Sequence, residues 1–225
     1  MEPGTGMVRE FGAELTQQEW ADLARHGRPR RLRAGASLFT EGSHSEAVVV
    51  VISGRVKVFT SAEDGAEVVL AVRGPGALLG ELAAIDQQPH SASVRSLEPV
   101  EVVTVGLREF TAFLQANPRT MWLLMRILVN RLRDADRKRI EFGVHDTLNR
   151  VARRLVELVD RFGESTESGI MITLPLTQDE LASWVGASRE AVTKALRTLR
   201  ASGYVRTQRR MITVVDIEGL RRQAR

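Results

Sequence analysis

Apolar residues along this chain follow two different periods, and the change between them divides the sequence into regions. Between residues 35 and 105, short β-branched runs are separated by glycine turns, which predicts a sheet-rich region. From Leu148 onward, apolar residues recur at intervals of three and four, which predicts helices. The stretch 117–142 lies between these regions and is expected to join them as one helix.

The stretch 117–142 predicts a helix of about 25 residues, much longer than an average globular helix. Asn117 is a good N-cap, Pro118 suits the first helical position, and Gly143 is expected to close the helix. An apolar seam follows its first part at helical spacing, formed by Met121, Leu124, Leu128, Leu132 and Ala135. This seam is longer than one small domain could cover, so we expect two copies to pair along it. The alternative is a connector packed on its own domain.

The N-terminal region predicts a β sandwich or jelly roll. Thr16 and Glu19 form a capping box that predicts a short helix over 15–25, and 28–33 is expected to be a basic connection. A further short helix is expected over 109–115. Ser37–Thr40 is a short apolar piece, and the predicted strands are Ala47–Ile52, Arg55–Thr60, Glu67–Val72, Ser91–Arg95 and Val100–Val105.

The C-terminal region has the outline of a winged helix-turn-helix: a helix, a glycine turn, a second helix and a small hairpin. Thr177 and Glu180 form a capping box that opens the first helix, and Ser188 caps the second, which is expected to run over 189–202. We therefore predict three parts: a jelly-roll domain at 1–116, a dimerisation helix at 117–143 and a winged helix-turn-helix at 144–225.

The second helix of this unit has the side chains that read DNA bases. Its apolar residues share one face, so Arg189, Glu190 and Lys194 point outward. Arg and Lys donate to guanine O6 and N7, and Glu accepts from cytosine N4, so these three are expected to contact bases. Contacts to the DNA backbone are expected from Ser188, Thr193, Arg197, Arg206, Arg209 and Arg210. The alternative is a solvated basic helix in a protein-binding module.

Composition narrows the classes of function. The formal charge is +4 and the isoelectric point is near 10.2, which permits nucleic-acid binding without establishing it. The sequence contains no cysteine, which excludes disulfides and Cys-ligated iron–sulfur clusters. Its four histidines are scattered, so no metal or haem is expected. No hydrophobic signal segment or apolar run of ~18 residues occurs, which predicts a soluble, cytoplasmic protein with no membrane association.

A pattern of turn glycines occurs at Gly35, Gly42, Gly54, Gly65 and Gly76. It is followed by the segment G-E-L-A-A-I-D-Q-Q-P-H-S-A-S-V (80–94) and then by V-G-A-S-R-E-A-V-T-K (185–194). In this order, the three motifs resemble the jelly-roll glycine pattern, the phosphate-binding cassette and the recognition helix of the cyclic-AMP receptor protein/FNR (Crp/Fnr) family of bacterial transcription regulators.

This resemblance covers nearly the whole chain and implies an α+β fold with a cyclic-nucleotide-binding jelly roll, a dimerisation helix and a winged helix-turn-helix. It also implies a homodimer on double-stranded DNA, at a near-palindromic operator with TGTGA-like half-sites, and RNA polymerase as a partner. By position, Arg189, Glu190 and Lys194 take the three base-reading places. Lys194 departs from the arginine common at the third place, because lysine lacks the guanidinium fork.

The cassette implies cyclic AMP or cyclic GMP as a candidate ligand, held by Gly80, Glu81, Leu82, His90, Ser91, Ala135 and Asp136. By resemblance, Glu81 would accept from the ribose 2′-hydroxyl, and His90 and Ser91 would hold the cyclic phosphate. The family's cyclic-AMP binders have arginine in place of His90 and small hydroxyl residues at the purine, where this chain has Ala135 and Asp136. An altered or lost cyclic-AMP response is therefore expected.

Two interpretations of the pocket stay open: it is vestigial or binds another ligand, or His90 and Asp136 recognise a nucleotide differently. Two other classes of function compete with DNA binding. A metal-dependent jelly-roll enzyme is disfavoured because the chain has no H-x-H or H-E-x-x-H motif. A nucleotide sensor that acts on a protein partner rather than on DNA is the remaining alternative.

Overall fold

We describe the protein from a computed structural model, which covers residues 10–44, 46–62, 65–174, 177–208 and 211–225. Helices and antiparallel sheets both occur in it, which confirms the predicted α+β class. The chain divides into two compact units, Met1–Ala135 and Asp136–Arg225. This division does not test the predicted boundaries of the jelly-roll domain, the dimerisation helix and the winged helix-turn-helix, which stay a prediction.

The first unit is a jelly roll made of two four-stranded sheets. Alternate valines of neighbouring strands form the core between the sheets, including Val49, Val51, Val56 and Val94. The sheets have the strand orders β1-β8-β3-β6 and β2-β7-β4-β5. The strands are β1 (Gly27–Leu32), β2 (Ser37–Phe39), β3 (Ala47–Ser53), β4 (Val56–Ser61), β5 (Glu67–Arg73), β6 (Leu78–Leu79), β7 (Ser93–Ser96) and β8 (Val100–Gly106).

Helices cover the outer face of the first sheet. Val48 and Val50 of β3 point away from the sandwich core and pack with Phe110 and other buried side chains of the helices. Strand β3 is therefore buried on both faces, which explains its uninterrupted valine run. The helices of this unit are α1 (Phe11–Glu14), α2 (Gln17–Arg25), α3 (Glu81–Asp86), α4 (Leu107–Ala116) and the long helix α5 (Pro118–Val144).

The expectation of a basic connection over 28–33 is wrong, because these residues form most of β1. Its backbone pairs with β8 from Gly27 opposite Val105 to Leu32 opposite Val100. The strand lies at the edge of its sheet, where arginine side chains can extend into solvent. Sequence patterning missed the strand because most of its outward residues are charged.

The long helix does not end at Gly143 as expected. Helix α5 continues through Gly143 to Val144, and Gly143 does not adopt the left-handed conformation. Glycine inside a helix costs only about 1 kcal/mol relative to alanine, so the preceding turns can extend over it. The jelly-roll glycines behave differently: all five lie at positive φ, as the turn pattern implies. At Gly54 a Cβ would also lie 2.4 Å from the Pro99 carbonyl oxygen.

Two residues of the predicted seam of α5 lie in or against the core of their own unit, and the seam itself stays a prediction. Leu124 is only 3% exposed and, like Leu123 and Ile127, belongs to the core beneath the first sheet; Leu128 packs against the same core. The helix thus has two apolar faces. The predicted seam combines residues of both, since Leu124 and Leu128 face the core whereas Met121 and Leu132 are exposed. The face that stays exposed is formed by Met121, Trp122, Met125, Val129 and Leu132, with Ala135 also exposed.

The second unit contains helix α6 (Thr147–Phe162), whose apolar face is buried as the three- and four-residue spacing predicted. The hairpin that follows the second helix of the predicted helix-turn-helix is present, in a four-stranded sheet of order β11-β12-β10-β9. The remaining elements are β9 (Gly163–Thr166), β10 (Gly169–Ile172), α7 (Gln178–Val185), α8 (Arg189–Ala201), β11 (Val205–Gln208), β12 (Met211–Val214) and α9 (Ile217–Gln223). In the described part of the chain, no helix is both long and apolar enough to span a bilayer.

A compact charge cluster stabilises the second sheet of the jelly roll. Lys57 is only 8% exposed, and its Nζ lies 2.5 Å from Glu67 Oε2. Arg95 Nη1 lies 2.5 Å from the other oxygen of the same carboxylate. Burial would raise the pKa of Glu67, but the hydrogen bonds from Lys57 and Arg95 outweigh it and hold the pKa below its usual 4.5.

We expect Glu67→Gln to lower the free energy of unfolding by about 1–3 kcal/mol, because it removes the negative charge that accepts hydrogen bonds from the buried Lys57 ammonium and from Arg95. Urea denaturation at neutral pH measures this change. Glu101→Gln is the matched control, since it breaks an exposed ion pair with Arg31 and should change stability by less than about 0.5 kcal/mol.

The same cluster predicts a pH dependence. Because the folded-state pKa of Glu67 is lowered, its stabilisation is present above the ordinary value of 4.5 and is lost as the pH falls through the folded-state pKa. The stability difference between wild type and Glu67→Gln should therefore shrink in acid. A difference that persisted unchanged below that pH would contradict the assignment.

Candidate DNA-reading face and nucleotide pocket

The helix-turn-helix is built by local signals at both helix starts. Thr177 and Glu180 form the predicted capping box at α7, with Glu180 N donating to Thr177 Oγ1 at 3.1 Å. Gly186 then adopts the left-handed conformation that ends α7. Ser188 caps α8 by accepting from the Ala191 N–H at 3.2 Å. The chain therefore turns between the two helices at Gly186, as the sequence predicts.

Helix α8 buries one side completely. Val192 and Leu199 have no exposed surface, and Ala195 and Leu196 are almost fully buried. Arg189, Glu190, Lys194 and Arg197 are exposed on the other side, and Thr193 is half-buried. Packing thus fixes which side chains α8 presents to solvent, and they include the three predicted base-reading residues.

Glu190 is held in its ionised form. Its own backbone N–H and the Ser188 hydroxyl donate to the carboxylate and lower its pKa. An ionised carboxylate only accepts hydrogen bonds, which suits the exocyclic amino group of cytosine.

The start of α7 contacts the outward side of α8 twice, which the sequence analysis missed. Asp179 Oδ2 lies 3.5 Å from Arg189 Nη1, and Gln178 Oε1 lies 3.0 Å from Thr193 Oγ1. Arg189 and Thr193 are one helical turn apart and form one edge of the outward side. Glu190, Lys194 and Arg197 form the other edge. No periodicity in the sequence could reveal these contacts, since they depend on how α7 packs on α8.

The wing supplies one described candidate for a backbone contact. Arg206 is exposed on β11, while the predicted contacts Arg209 and Arg210 lie outside the described residues. Arg200 at the border of α8 donates from Nη1 to Thr207 Oγ1 at 3.1 Å and so joins this helix to β11. Arg200 is therefore engaged in the fold of the wing.

In the jelly roll, the cassette begins at Gly80, which adopts φ +80° as the residue before α3. A Cβ at this position would lie 3.1 Å from Phe39 Cζ, 3.2 Å from the Ala47 carbonyl oxygen and 3.4 Å from His90 Cε1. Both the backbone conformation and the close approach of these neighbours require glycine. Two of the predicted nucleotide residues, Gly80 and His90, thereby lie close together.

Glu81 already has a charged partner, which the sequence analysis did not identify. Its side chain is almost fully buried, and Oε1 accepts from Arg131 Nη1 of α5. Arg131 also donates from Nη2 to the Leu78 carbonyl oxygen at 3.0 Å. The carboxylate that resemblance assigns to a ribose is therefore bonded to the long helix of the same chain.

His90 is buried in an environment that disfavours its charged form. Its ring stacks on Phe39 with the centroids 4.2 Å apart, and its backbone N–H donates to the Ser43 carbonyl oxygen at 2.9 Å. Burial lowers the pKa of the imidazole below its usual 6.5, so it is uncharged at neutral pH. An uncharged ring can hydrogen-bond to a phosphate oxygen but cannot neutralise it.

A cavity of about 520 Å³ opens beside His90, between β2 and the first sheet. Its lining includes Phe39, Arg30 and Thr104, and of the predicted nucleotide residues it contains His90 alone among those described. Leu82 and Ser91 are exposed. Ala135 and Asp136 are exposed on α5, and their role at a purine stays a prediction.

Comparison with known protein families identifies both the jelly-roll region and the helix-turn-helix region. A cyclic nucleotide-binding domain matches residues 29–117, and a Crp-like helix-turn-helix domain matches residues 149–223. A CRP-like cAMP-activated global transcriptional regulator of Mycobacterium tuberculosis is 33% identical over 205 residues, which are 91% of this chain and 92% of that protein. The cyclic AMP receptor protein of Thermus thermophilus is 32% identical over 84% of each chain.

Solved structures of related proteins have the same fold. A transcriptional regulator of the CRP/FNR family from Thermus thermophilus superposes with a TM-score of 0.75 at 26% identity, covering 88% of this chain and 98% of that one. The regulator CLP of Xanthomonas campestris, at 24% identity and a TM-score of 0.79, supports the fold alone.

A cyclic-nucleotide-binding jelly roll followed by a long helix and a basic helix-turn-helix defines a DNA-binding regulator and not an enzyme. The chain belongs to the Crp/Fnr family of transcription regulators, whose members bind DNA as dimers.

We expect His90→Arg to tighten binding of cyclic AMP by roughly tenfold to a hundredfold, because it places a permanent charge where the ring is neutral. Isothermal titration calorimetry at neutral pH measures the change. His90→Gln is the control, since it keeps an uncharged hydrogen-bonding group at the same position.

Lowering the pH provides a second measurement of the same contact. Wild-type affinity for cyclic AMP should increase as the pH falls through the pKa of His90, which burial places below the usual 6.5, because protonated His90 attracts the phosphate, and His90→Arg should show no such increase. An affinity that neither the substitution nor the pH altered would mean that the phosphate does not lie at His90.

Proposed function

We propose that the protein is a homodimeric regulator that reads a near-palindromic operator with TGTGA-like half-sites through its two α8 helices. The observation that carries this proposal is the outward side of α8, where Arg189, Glu190 and Lys194 are exposed above a fully buried apolar side. These residue types match guanine and cytosine edges in the major groove. RNA polymerase is the proposed protein partner, by the family resemblance.

Contacts to the DNA backbone would position this helix. Ser188 at the N-terminus of α8, together with Thr193, Arg197 and Arg206, lies around the base-reading residues. Contacts of this kind add affinity and salt dependence but little sequence information. Arg209 and Arg210 are proposed for the same role from the sequence.

The exposed side of α5 supports dimerisation. Trp122, Met125, Val129 and Leu132 recur at spacings of three, four and three residues, which is the a/d pattern of a two-stranded coiled coil. A second copy of α5 would bury these side chains. Two recognition helices in such a dimer must reach major grooves about 34 Å apart along the duplex.

For the effector we propose an altered or lost response to cyclic AMP, with cyclic GMP as the other candidate nucleotide. The neutral, buried His90 supports this proposal, since it would hold a cyclic phosphate less tightly than arginine. Glu81 could contact a ribose hydroxyl only while it also accepts from Arg131.

The base-reading role predicts that Arg189→Ala weakens binding to the specific operator by about 1–3 kcal/mol and binding to random DNA far less. Fluorescence anisotropy on an operator selected by the wild-type protein from a random pool measures both. Arg221→Ala is the control, because it removes one exposed arginine from α9 of the same unit.

An equal loss on operator and random DNA for Arg189→Ala would show that Arg189 acts only as a charge. Failure of the wild-type protein to bind any duplex at low salt would favour the alternative function, a sensor that acts on a protein partner.

The dimer predicts that Leu132→Glu gives a monomer with DNA affinity reduced by at least about a hundredfold, because it puts a charge on a 63% exposed apolar side chain of the seam. Analytical ultracentrifugation measures the mass. Val68→Glu makes the same kind of change on an exposed residue of β5 and should leave the dimer intact. A Leu132→Glu protein that remained dimeric would place the interface elsewhere.

A further inference from the structure

We infer that Asp179 is a positioning residue that sets the specificity of Arg189 and lowers the affinity of the protein for DNA in general. This inference rests on the proposed base-reading role of Arg189. Asp179 lies in the first turn of α7, outside the recognition helix, and its carboxylate is 3.5 Å from the Arg189 guanidinium.

The neighbourhood of Asp179 explains why it can act on Arg189. The other carboxylate in the first turn of α7, Glu180, closes the capping box by accepting from the Thr177 N–H at 2.9 Å. Asp179 instead points toward the solvent side that α7 shares with α8, where its side chain is 65% exposed and that of Arg189 is 62% exposed. Gln178 holds Thr193 one turn further along the same edge of α8.

The exposed pair is weak in the free protein, since water competes with both partners. DNA would change this balance, because a major groove excludes part of that water from Arg189. A guanidinium has five N–H donors in one plane, so it can donate to guanine O6 and N7 while another edge donates to a carboxylate. Asp179 would then restrict Arg189 to the orientation that matches guanine.

The same carboxylate would act differently on DNA that lacks the matching guanine. It brings a negative charge close to the DNA phosphates, and it offers Arg189 a partner other than a phosphate. Asp179 therefore favours discrimination between sequences over affinity for all of them. Lys194 and Arg197, on the other edge of α8, are exposed and lie outside this contact.

The decisive variant is Asp179→Asn, which keeps the size of the side chain and removes its charge. Dissociation constants are measured on the selected operator, on operators with each half-site guanine replaced by adenine, and on random DNA. We expect discrimination at the base sensed by Arg189 to fall about fivefold and affinity for random DNA to rise about fivefold at low salt. The gain on random DNA should shrink as salt is raised, whereas the lost discrimination should remain.

Two controls separate positioning from charge. Glu164→Gln removes an exposed carboxylate from β9 of the same unit, and it should leave discrimination unchanged. In an Arg189→Ala background, Asp179→Asn should no longer alter discrimination, because the residue it positions is absent. A loss of discrimination that persisted in this background would overturn the inference.

The remaining outcomes are also decisive. Asp179→Asn with unchanged or sharpened discrimination would mean that the carboxylate does not position Arg189, or competes with guanine for it, and the inference would be wrong. If the wild-type protein discriminates between the operators and Arg189→Ala does not, such a result for Asp179→Asn would contradict only the role of Asp179 and leave the proposed function standing. A wild-type protein that bound all duplexes equally would overturn the proposed function together with this inference.

Discussion

The structure of the first unit depends on how α5 is held against the outer face of the jelly roll. Leu123, Leu124 and Ile127 are each at most 4% exposed in the core formed with Val48 and Val50 of β3. Full burial of such a side chain contributes about 1.5–3 kcal/mol. Three of them on one side of a helix fix its rotation, because any other rotation would expose them. That rotation decides which side of α5 remains free for a second copy.

The fixed rotation also decides which side chain of α5 contacts the cassette. Arg131 follows Ile127 by one helical turn, and so it projects from the packed side of α5 toward the cassette, where it bonds to Glu81. A cassette residue and helix α5 are thereby joined by a charged hydrogen bond. Any ligand that accepts or donates at Glu81 must also change the environment of Arg131, which gives the cassette a direct physical connection to the helix. His90 has no such charge, because burial lowers the pKa of its ring below the usual 6.5.

The features that the sequence predicted depend on residues close together along the chain, whereas the features that it missed depend on residues far apart. The two capping boxes, the turn at Gly186 and the buried side of α8 depend on residues within one helical turn of each other, and they were predicted correctly. The strand at 27–32, the burial of Leu124 and the Arg131–Glu81 bond depend on partners far along the chain. Periodicity can show that a helix has an apolar side, but it cannot show that α5 has two apolar sides with different partners. The contact of Asp179 with Arg189 was missed for the same reason, since it depends on α7 packing beside α8.

Both units place an arginine next to a carboxylate at the proposed binding site, and the difference in burial gives the two pairs different roles. Arg131 and Glu81 are 22% and 5% exposed, so separating them would leave a buried charge without a partner. This pair therefore persists in the free protein and is part of the fold.

Arg189 and Asp179 are both more than 60% exposed, so this second pair forms and breaks at little cost in water. A contact of this second kind contributes little until a ligand removes the water around it. If Arg189 reads a base as proposed, this exposure would keep it available in the free protein, and its orientation would become fixed only when DNA is bound.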